Sequence, residues 1–447
     1  MAHYPTVGKR MALASSLIVF LAVAGCANDS VWTRDDLAQR VAQADTRAEH
    51  EAMLSGIESG VAETAEGAAR PAGATWSIVA ADAETQEVVV ASATCLTGFD
   101  LKRYLPVIVV GKGGGAAQSY VDSTGQRRLI MWNGFQSGLT APEIVAQLIA
   151  LPSSALHQHG VAETTVGTSA THTGASCGAH ASGVTGSLGT IHYAIQGNVL
   201  TGSPVITLAE QVFVNTPGDL PAKTMAAMEA ARSMGGDGRC SCDPGNPTGC
   251  GSPPPSFEKS AHVGFLLISR YGDTDDPACT STGCADGDYF MAFNIAFQQV
   301  SDPDPVYQLQ ALFDDARLDL LGRPDAIASP VSFTHSNPLA GEWLLRVELR
   351  DWQGALLGHG VSSFTVEHAP ESDQVTTIGD IVDLGDGSYE VTLTETGLPG
   401  VDVFLITADD GIRPVVLPPR RATLELLPLF SDGFESGDTS AWSATVP

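Results

Sequence analysis

The chain has 447 residues, enough for two or three domains. Lysine and arginine number 23 against 51 aspartates and glutamates, a net charge of −28, which excludes a nucleic-acid binder because phosphate contacts need a basic surface. The hydrophobic share of 43% is ordinary for a globular protein, so the acidity speaks to solubility and not to fold.

Residues 1–26 read as an export signal. Lys9 and Arg10 supply a positive start, and 11–24 form an apolar run too short for a comfortable membrane span. The run ends Leu21-Ala22-Val23-Ala24-Gly25-Cys26, which resembles a bacterial lipobox, a pattern whose cysteine is acylated and becomes the mature N-terminus. Lipidation at Cys26 would hold the protein on a membrane surface by its lipid alone. Residues 27–74 read as a helical tether or pro-segment: Leu37 and Val41 are spaced as on one helix face, as are Ile57 and Val61, and 64–72 is a linker of small residues.

Ala72-Gly73-Ala74 is an A-x-A sequence of the kind signal peptidases cut after, and the next residue is Thr75. A chain that starts at Thr75 carries nucleophile and base on one residue. Its hydroxyl is inert alone, and a free α-amine, with an ordinary pKa of about 7.7–8.0, can take the hydroxyl proton near neutrality. From 75 to 82 the chain reads as a strand, with β-favouring Trp76, Ile78 and Val79 ended by Asp82, and 87–92 completes a hairpin.

Thr140-Ala141-Pro142-Glu143 is a capping box that opens a helix to about residue 151. A strand at 191–199 leads through Gly202-Ser203-Pro204 into another helix. Asp219 caps the next, with Pro221 in its first turn and Gly235-Gly236 as its stop. Segments 262–269 and 289–297 read as buried strands, and Asp304-Pro305 opens a last helix. Residues 75–322 thus read as one layered α/β unit. From 323 to 428 the texture changes to strands at 342–350, 360–367, 373–381, 388–394, 401–408 and 414–425, an immunoglobulin-like β-sandwich that serves as a spacer or binding module. Residues 429–447 read as a flexible tail.

Of eight cysteines, seven remain after Cys26, and export favours disulfides. Cys279 with Cys284 is the best pair, Cys240 or Cys242 with Cys250 comes next, and one thiol is left odd. Cys240, Cys242 and Cys250 lack the C-x2-C pairs of a zinc site. Asp273, Asp275, Asp276, Asp286 and Asp288 do not follow the order of an EF-hand loop and read as a solvated acidic rim. No metal or cofactor is expected.

Several segments, taken in order, resemble the domain-of-unknown-function 1028 family, whose known fold is N-terminal-nucleophile (Ntn) hydrolase-like. They are the 75–82 strand, Val90-Ala91-Ser92, Gly115-Ala116-Ala117-Gln118-Ser119-Tyr120-Val121, Thr173-Gly174 with Cys177 and Gly178-Ala179-His180, Ala194-Ile195-Gln196-Gly197-Asn198-Val199-Leu200, Gly235-Gly236-Asp237, and Asp302-Pro303-Asp304-Pro305-Val306. The resemblance implies an α+β fold: a four-layer αββα domain with the Thr75 strand central, here followed by the β-sandwich. It also implies that Thr75 stands where an Ntn nucleophile would.

By position, Gln118, Gln196 and Asn198 are candidates for oxyanion or substrate contacts, since amides can donate to developing negative charge. Ser92, expected beside Thr75 across the hairpin, is a candidate to orient the amine. Asp237 is a candidate to hold an amine or substrate cation, and His180, in a Gly/Ala/Ser-rich loop, to line the site. Each has the ordinary alternative of a satisfied buried polar group or a loop residue.

Two features depart from simple members. Seventy-four residues precede Thr75, so a lipid anchor at Cys26 and a free amine at Thr75 exclude each other in one covalent chain. A cysteine-bearing Pro/Gly-rich insert also follows Asp237. The reading is an exported Ntn-type amidohydrolase acting on a small-molecule or peptide amide, of the cell envelope or beyond it. The alternative is a non-catalytic surface binding protein built on the same scaffold.

Overall fold

The computed structural model describes residues 75–275 and 277–424. Residues 1–74, read above as an export signal with Cys26 and a tether, together with Asp276 and 425–447, which include the stretch read as a tail, lie outside the described residues.

The chain opens with β1 (Thr75–Asp82) and β2 (Val88–Thr94), an antiparallel hairpin whose register runs from Thr75↔Thr94 to Ala81↔Val88. After β3 (Pro106–Val109) and β4 (Gly113–Gln118) come two helices, α1 (Gln126–Gln136) and α2 (Ala141–Ile149). The capping box of Thr140 and Glu143 opens α2 as its sequence predicts. Four strands follow: β5 (Gln158–Glu163), β6 (Thr168–Thr173), β7 (Ser182–Leu188) and β8 (Ile191–Asn198). Then come α3 (Pro204–Asn215), α4 (Leu220–Ser233), β9 (Val263–Ser269), β10 (Met291–Ile295) and α5 (Pro305–Asp319).

These strands form a six-stranded sheet of order β10-β9-β2-β1-β8-β7 and a four-stranded sheet of order β3-β4-β5-β6. Side chains alternate along β1, so its two faces enter different cores. Trp76, Ile78 and Ala80 pack with Ile206 and Phe213 of α3, Met225 and Met228 of α4, and Leu309 of α5. Val79 and Ala81 pack instead with Ile108, Ala116 and Ala162 of the second sheet. That sheet's other face, with Val107, Ala117 and Val161, meets Met131 and Phe135 of α1 and Ile144 and Leu148 of α2. The cores therefore run in the order helices, six-stranded sheet, four-stranded sheet, helices. Thr75 and Ser77 share the face of Val79, so their side chains enter the space between the two sheets.

The glycines of β4 make this stacking possible. A Cβ on Gly114 would lie 2.8 Å from Val88 Cγ1 of the facing sheet, and one on Gly115 would lie 2.6 Å from Met131 Sδ on the helix side. The same glycines hide β4 from a sequence reading based on β-favouring side chains.

The C-terminal region is all β. It comprises β11 (Val331–Asn337), β12 (Glu342–Glu348), β13 (Ser363–His368), β14 (Thr376–Asp383), β15 (Ser388–Glu395), β16 (Gly400–Asp409) and β17 (Pro414–Leu424). One sheet has the order β11-β12-β15-β14 and the other β13-β16-β17. Leu345, Val347, Val391 and Leu393 of the first share a core with Phe404, Ile406 and Leu417 of the second. The fold class is α+β with antiparallel sheets throughout, as the sequence led us to expect at that level.

Disulfides join Cys95 to Cys240, Cys242 to Cys250 and Cys279 to Cys284, and Cys177 is buried and free. Of the two partners expected for Cys250, Cys242 is the one it takes, and the Cys240 alternative is corrected. Cys240 pairs across 145 residues with Cys95, because the turn carrying it folds back onto the end of β2, and Cys250 takes Cys242. Among the described residues no helix is long and apolar enough to cross a membrane.

Candidate active site

Thr75 lies at the head of β1, flanked by Thr94 of β2 on one side and Asn198 of β8 on the other. It is 5% exposed. Its hydroxyl donates to Thr94 Oγ1 at 3.3 Å, and its carbonyl accepts from Gln118 Nε2 at 3.0 Å. Gln118 belongs to the opposite sheet, so this bond ties the head of β1 across the gap between sheets.

A run of buried amides continues from that bond. Gln118 Nε2 also donates to Gln158 Oε1 at 2.8 Å, and the Ser77 hydroxyl donates to Gln118 Oε1. Gln196 Nε2 donates to Ser77 Oγ. Gln158 Nε2 is shared among Thr173 Oγ1 at 2.8 Å and the carbonyls of Ser182 and Gly197, each at 3.0 Å. Buried as these groups are, such a network rigidifies whatever it holds. Gly160 is required beside it: a Cβ there would fall 2.1 Å from Gln196 Oε1. Asn198 Nδ2 donates to Cys177 O at 3.1 Å, which draws the loop after β6 over the end of β8.

Ser92 does not sit beside Thr75. The hairpin register pairs it with Ser77, and its hydroxyl donates to Trp76 O at 2.8 Å. Thr94, two residues on and so on the same face, takes the place expected for Ser92. Asp237 is likewise corrected as a holder of an amine or substrate cation. It is fully buried, and its carboxylate accepts from Cys95 N at 2.8 Å, Arg239 N at 3.0 Å, Arg239 Nε at 3.1 Å and Arg239 Nη2 at 2.8 Å.

The His180 carbonyl accepts from Leu200 N at 3.2 Å, so His180 lies near the end of β8. Burial holds its imidazole below the usual range. The structure thus gathers Thr75, Gln118, Gln196 and Asn198 and sets Ser92 and Asp237 to other work.

Sequence reasoning missed Ser77, Thr94, Gln158 and Arg239. Extending the hairpin register by one pair would have found Thr94. Nothing local marks Gln158 or Arg239.

The space next to Thr75 is small, about 20 Å³, and is lined by Leu96, Phe99, Leu101, Tyr104 and Gln118 among others. A larger cavity of about 380 Å³ lies elsewhere, between the α/β region and the C-terminal sheets, against Arg270, Phe290, Leu320, Arg413 and Val416. Cys95, Cys240 and His262 bring possible metal-ligand atoms within 4.8 Å of one another. The two sulfurs are joined to each other, however, which leaves a single imidazole to offer a metal.

The class that fold and site define is a paired-sheet α+β protein with a threonine at the head of an inner strand. Residues 75–242 match the family described as "Family of unknown function (DUF1028)". A crystal structure of a DUF1028 protein from Silicibacter pomeroyi is similar at 18% identity, covering 54% of this chain and 89% of that chain with a TM-score of 0.38. No curated protein matches.

Proposed function

We propose that this chain is an exported N-terminal-nucleophile amidohydrolase, acting on an amide of the cell envelope or the extracellular space, with Thr75 as nucleophile. The observation that carries the reading is the setting of Thr75. It heads a strand inside the larger sheet, its hydroxyl donates to that of Thr94, and its carbonyl is held by Gln118.

In the uncut chain the Thr75 nitrogen is an amide and cannot act as a base. Once the Ala74–Thr75 bond is opened, the free amine takes the hydroxyl proton and Oγ1 attacks the substrate carbonyl carbon. The amine then gives its proton to the departing nitrogen, and water hydrolyses the resulting ester. Gln118 positions Thr75, and Asn198, its β8 partner, is our choice for the oxyanion contact. Export is supported by three disulfides, which suit an oxidising compartment, and an anchor at Cys26 would precede the cut.

N-terminal sequencing of protein from cells, with a Thr75→Ala variant, tests the reading. We expect a species that begins at Thr75. We also expect loss of hydrolysis across an acyl-amide panel in Thr75→Ala, with an unchanged circular dichroism spectrum. Full activity in that variant, or only uncut chain in cells, overturns the proposal. One observation favours the binding-protein alternative: the roomier cavity, about 380 Å³, shares no lining residue with the space of about 20 Å³ at Thr75. Exclusive recovery of uncut protein would point there.

A further inference from the structure

We infer that Arg239 is a positioning residue for Thr75, locked in place by Asp237 and the Cys95–Cys240 disulfide, and that its cation favours the uncharged form of the freed threonine amine. The inference rests on the nucleophile reading of Thr75.

The argument begins with one helical turn, Gly238–Ser241, which is fastened to the end of β2 twice. Covalently, Cys240 is bonded to Cys95, the residue after Thr94. Non-covalently, the Asp237 carboxylate accepts from Cys95 N at 2.8 Å and, from the turn itself, from Arg239 N at 3.0 Å. The same carboxylate takes the guanidinium through both Nε, at 3.1 Å, and Nη2, at 2.8 Å. This forked grip sets the plane of the guanidinium as well as its position. Nη2 then reaches Thr94 Oγ1 at 3.4 Å, and Thr94 Oγ1 in turn accepts from the Thr75 hydroxyl at 3.3 Å. The cation thus stands two hydrogen-bond lengths from the nucleophile, through a side chain that is Thr75's own cross-strand partner.

A threonine that uses its own amine as base works only while that amine is neutral. A fixed cation nearby disfavours the ammonium form, and arginine, unlike lysine or histidine, does not lose its charge when partly buried. Among the described residues, the titratable groups around this end include Asp237, whose carboxylate is gripped by Arg239 and works against its cation, and His262 and His180, with Lys259 and Asp302 acting on His262. Burial lowers both imidazoles, and Lys259 lowers His262 further, so neither supplies a cation near pH 7. His262 packs here through its backbone N, which donates to Thr94 O at 2.8 Å.

The test uses the full-length chain carrying a factor Xa site that ends just before Thr75, cut to free the amine. The pH dependence of N-terminal acetylation by acetic anhydride, read by mass spectrometry, gives the protonation midpoint of Thr75. We expect the wild-type midpoint to lie about one unit below that of Arg239→Gln, a tenfold difference in the neutral fraction at a given pH in that range. Arg239→Lys should keep most of the difference. A Cys95→Ser/Cys240→Ser chain should behave like Arg239→Gln, and it serves as the second probe if Arg239→Gln fails to fold. A merely structural role would lower the melting temperature without moving the midpoint. A midpoint equal to wild type in Arg239→Gln, or in the Cys95→Ser/Cys240→Ser chain where Arg239→Gln does not fold, overturns the inference. The nucleophile reading has its own readout, acylation of Thr75 in the cut chain by a β-lactone. A chain inert to the lactone that still shows the shifted midpoint would retire the nucleophile and leave the electrostatic effect of Arg239 standing.

Discussion

His157 and His159 show what the gap between sheet and helix does to single residues. The rings of His157, His159 and His172 stack at centroid spacings of 6.0 Å, with Tyr120 edge-on to His157 at 5.6 Å. Burial pushes His157 down to about 4, with Arg127 adding to the effect and Asp122 opposing it. Burial pushes His159 down as well, helped by His157, Arg127 and His172. A folded value below the unfolded one means that the unfolded chain binds the proton more readily. Stability is therefore complete above about pH 6.5 and is lost as pH falls towards 4. We expect the urea midpoint to fall between about pH 7 and pH 5 in wild type, and to fall by less in His157→Gln. Parallel profiles would show that His157 does not carry the effect. None of this was legible in sequence, where His157 and His159 are two unremarkable residues at the start of a strand that the sequence does not predict.

Among elements, β4 decides how closely the layers approach. Its Gly-Gly-Gly-Ala-Ala-Gln sequence lacks the branched residues that mark a strand, yet all six residues are buried. Gly114 faces Val88 and Val90 across the gap, and Gly115 faces Met131. Gly114→Val would force the sheets apart or the valines off their rotamers, at a cost of about 1–3 kcal/mol or more. A lowered urea midpoint with unchanged secondary structure is the expected result, and an unchanged midpoint would show that the sheets yield easily at this point. By contrast, β1, β2, β8, β9, α2, α3, α4 and α5 were all legible. Their signals are local: β-branched runs, a capping box at Thr140, Asp219 before Pro221, and Asp304 before Pro305. Ser92 was misplaced for a related reason. A strand's sequence alone does not set its register, and one pair of residues decides which hydroxyl meets Thr75.

Across the whole molecule, Arg270 ties the α/β region to the segment that leads into the C-terminal sheets. Its guanidinium binds Glu87 of the β1–β2 turn and Asp325 of the connecting segment, each at 2.7 Å, and lies 3.6 Å over the Phe290 ring. One guanidinium shared by two carboxylates serves them unequally. Burial works against both, but Asp325 also accepts from Ile327 N and Ala328 N, each at 2.9 Å, and with Arg270 these hold it below the usual range. Burial outweighs Arg270 at Glu87, which is pushed from 4.5 up to about 7. The sign here is opposite to that of His157. A raised folded value means stability that is present below about pH 4.5 and is lost as pH rises through 7. Glu87→Gln keeps an acceptor for Arg270 without the charge, so its stability should decline less than wild type between about pH 5.5 and pH 8, by chemical denaturation at each pH. An identical decline would place the pH dependence elsewhere.

What the sequence by itself determined is therefore a matter of short-range chemistry. It established the α+β class, the hairpin that begins at Thr75, the capped helices, the all-β end, the Cys279–Cys284 pair and the family resemblance, all carried by residues near one another along the chain. Only the tertiary structure decided that Cys240 pairs with Cys95, that Thr94 and not Ser92 faces Thr75, that Asp237 is occupied by Arg239, and that Gln118 and Gln158 close the gap behind the threonine. Each of these depends on which distant segments two stacked sheets bring within a few ångströms, and hydrophobic periodicity carries no information about that.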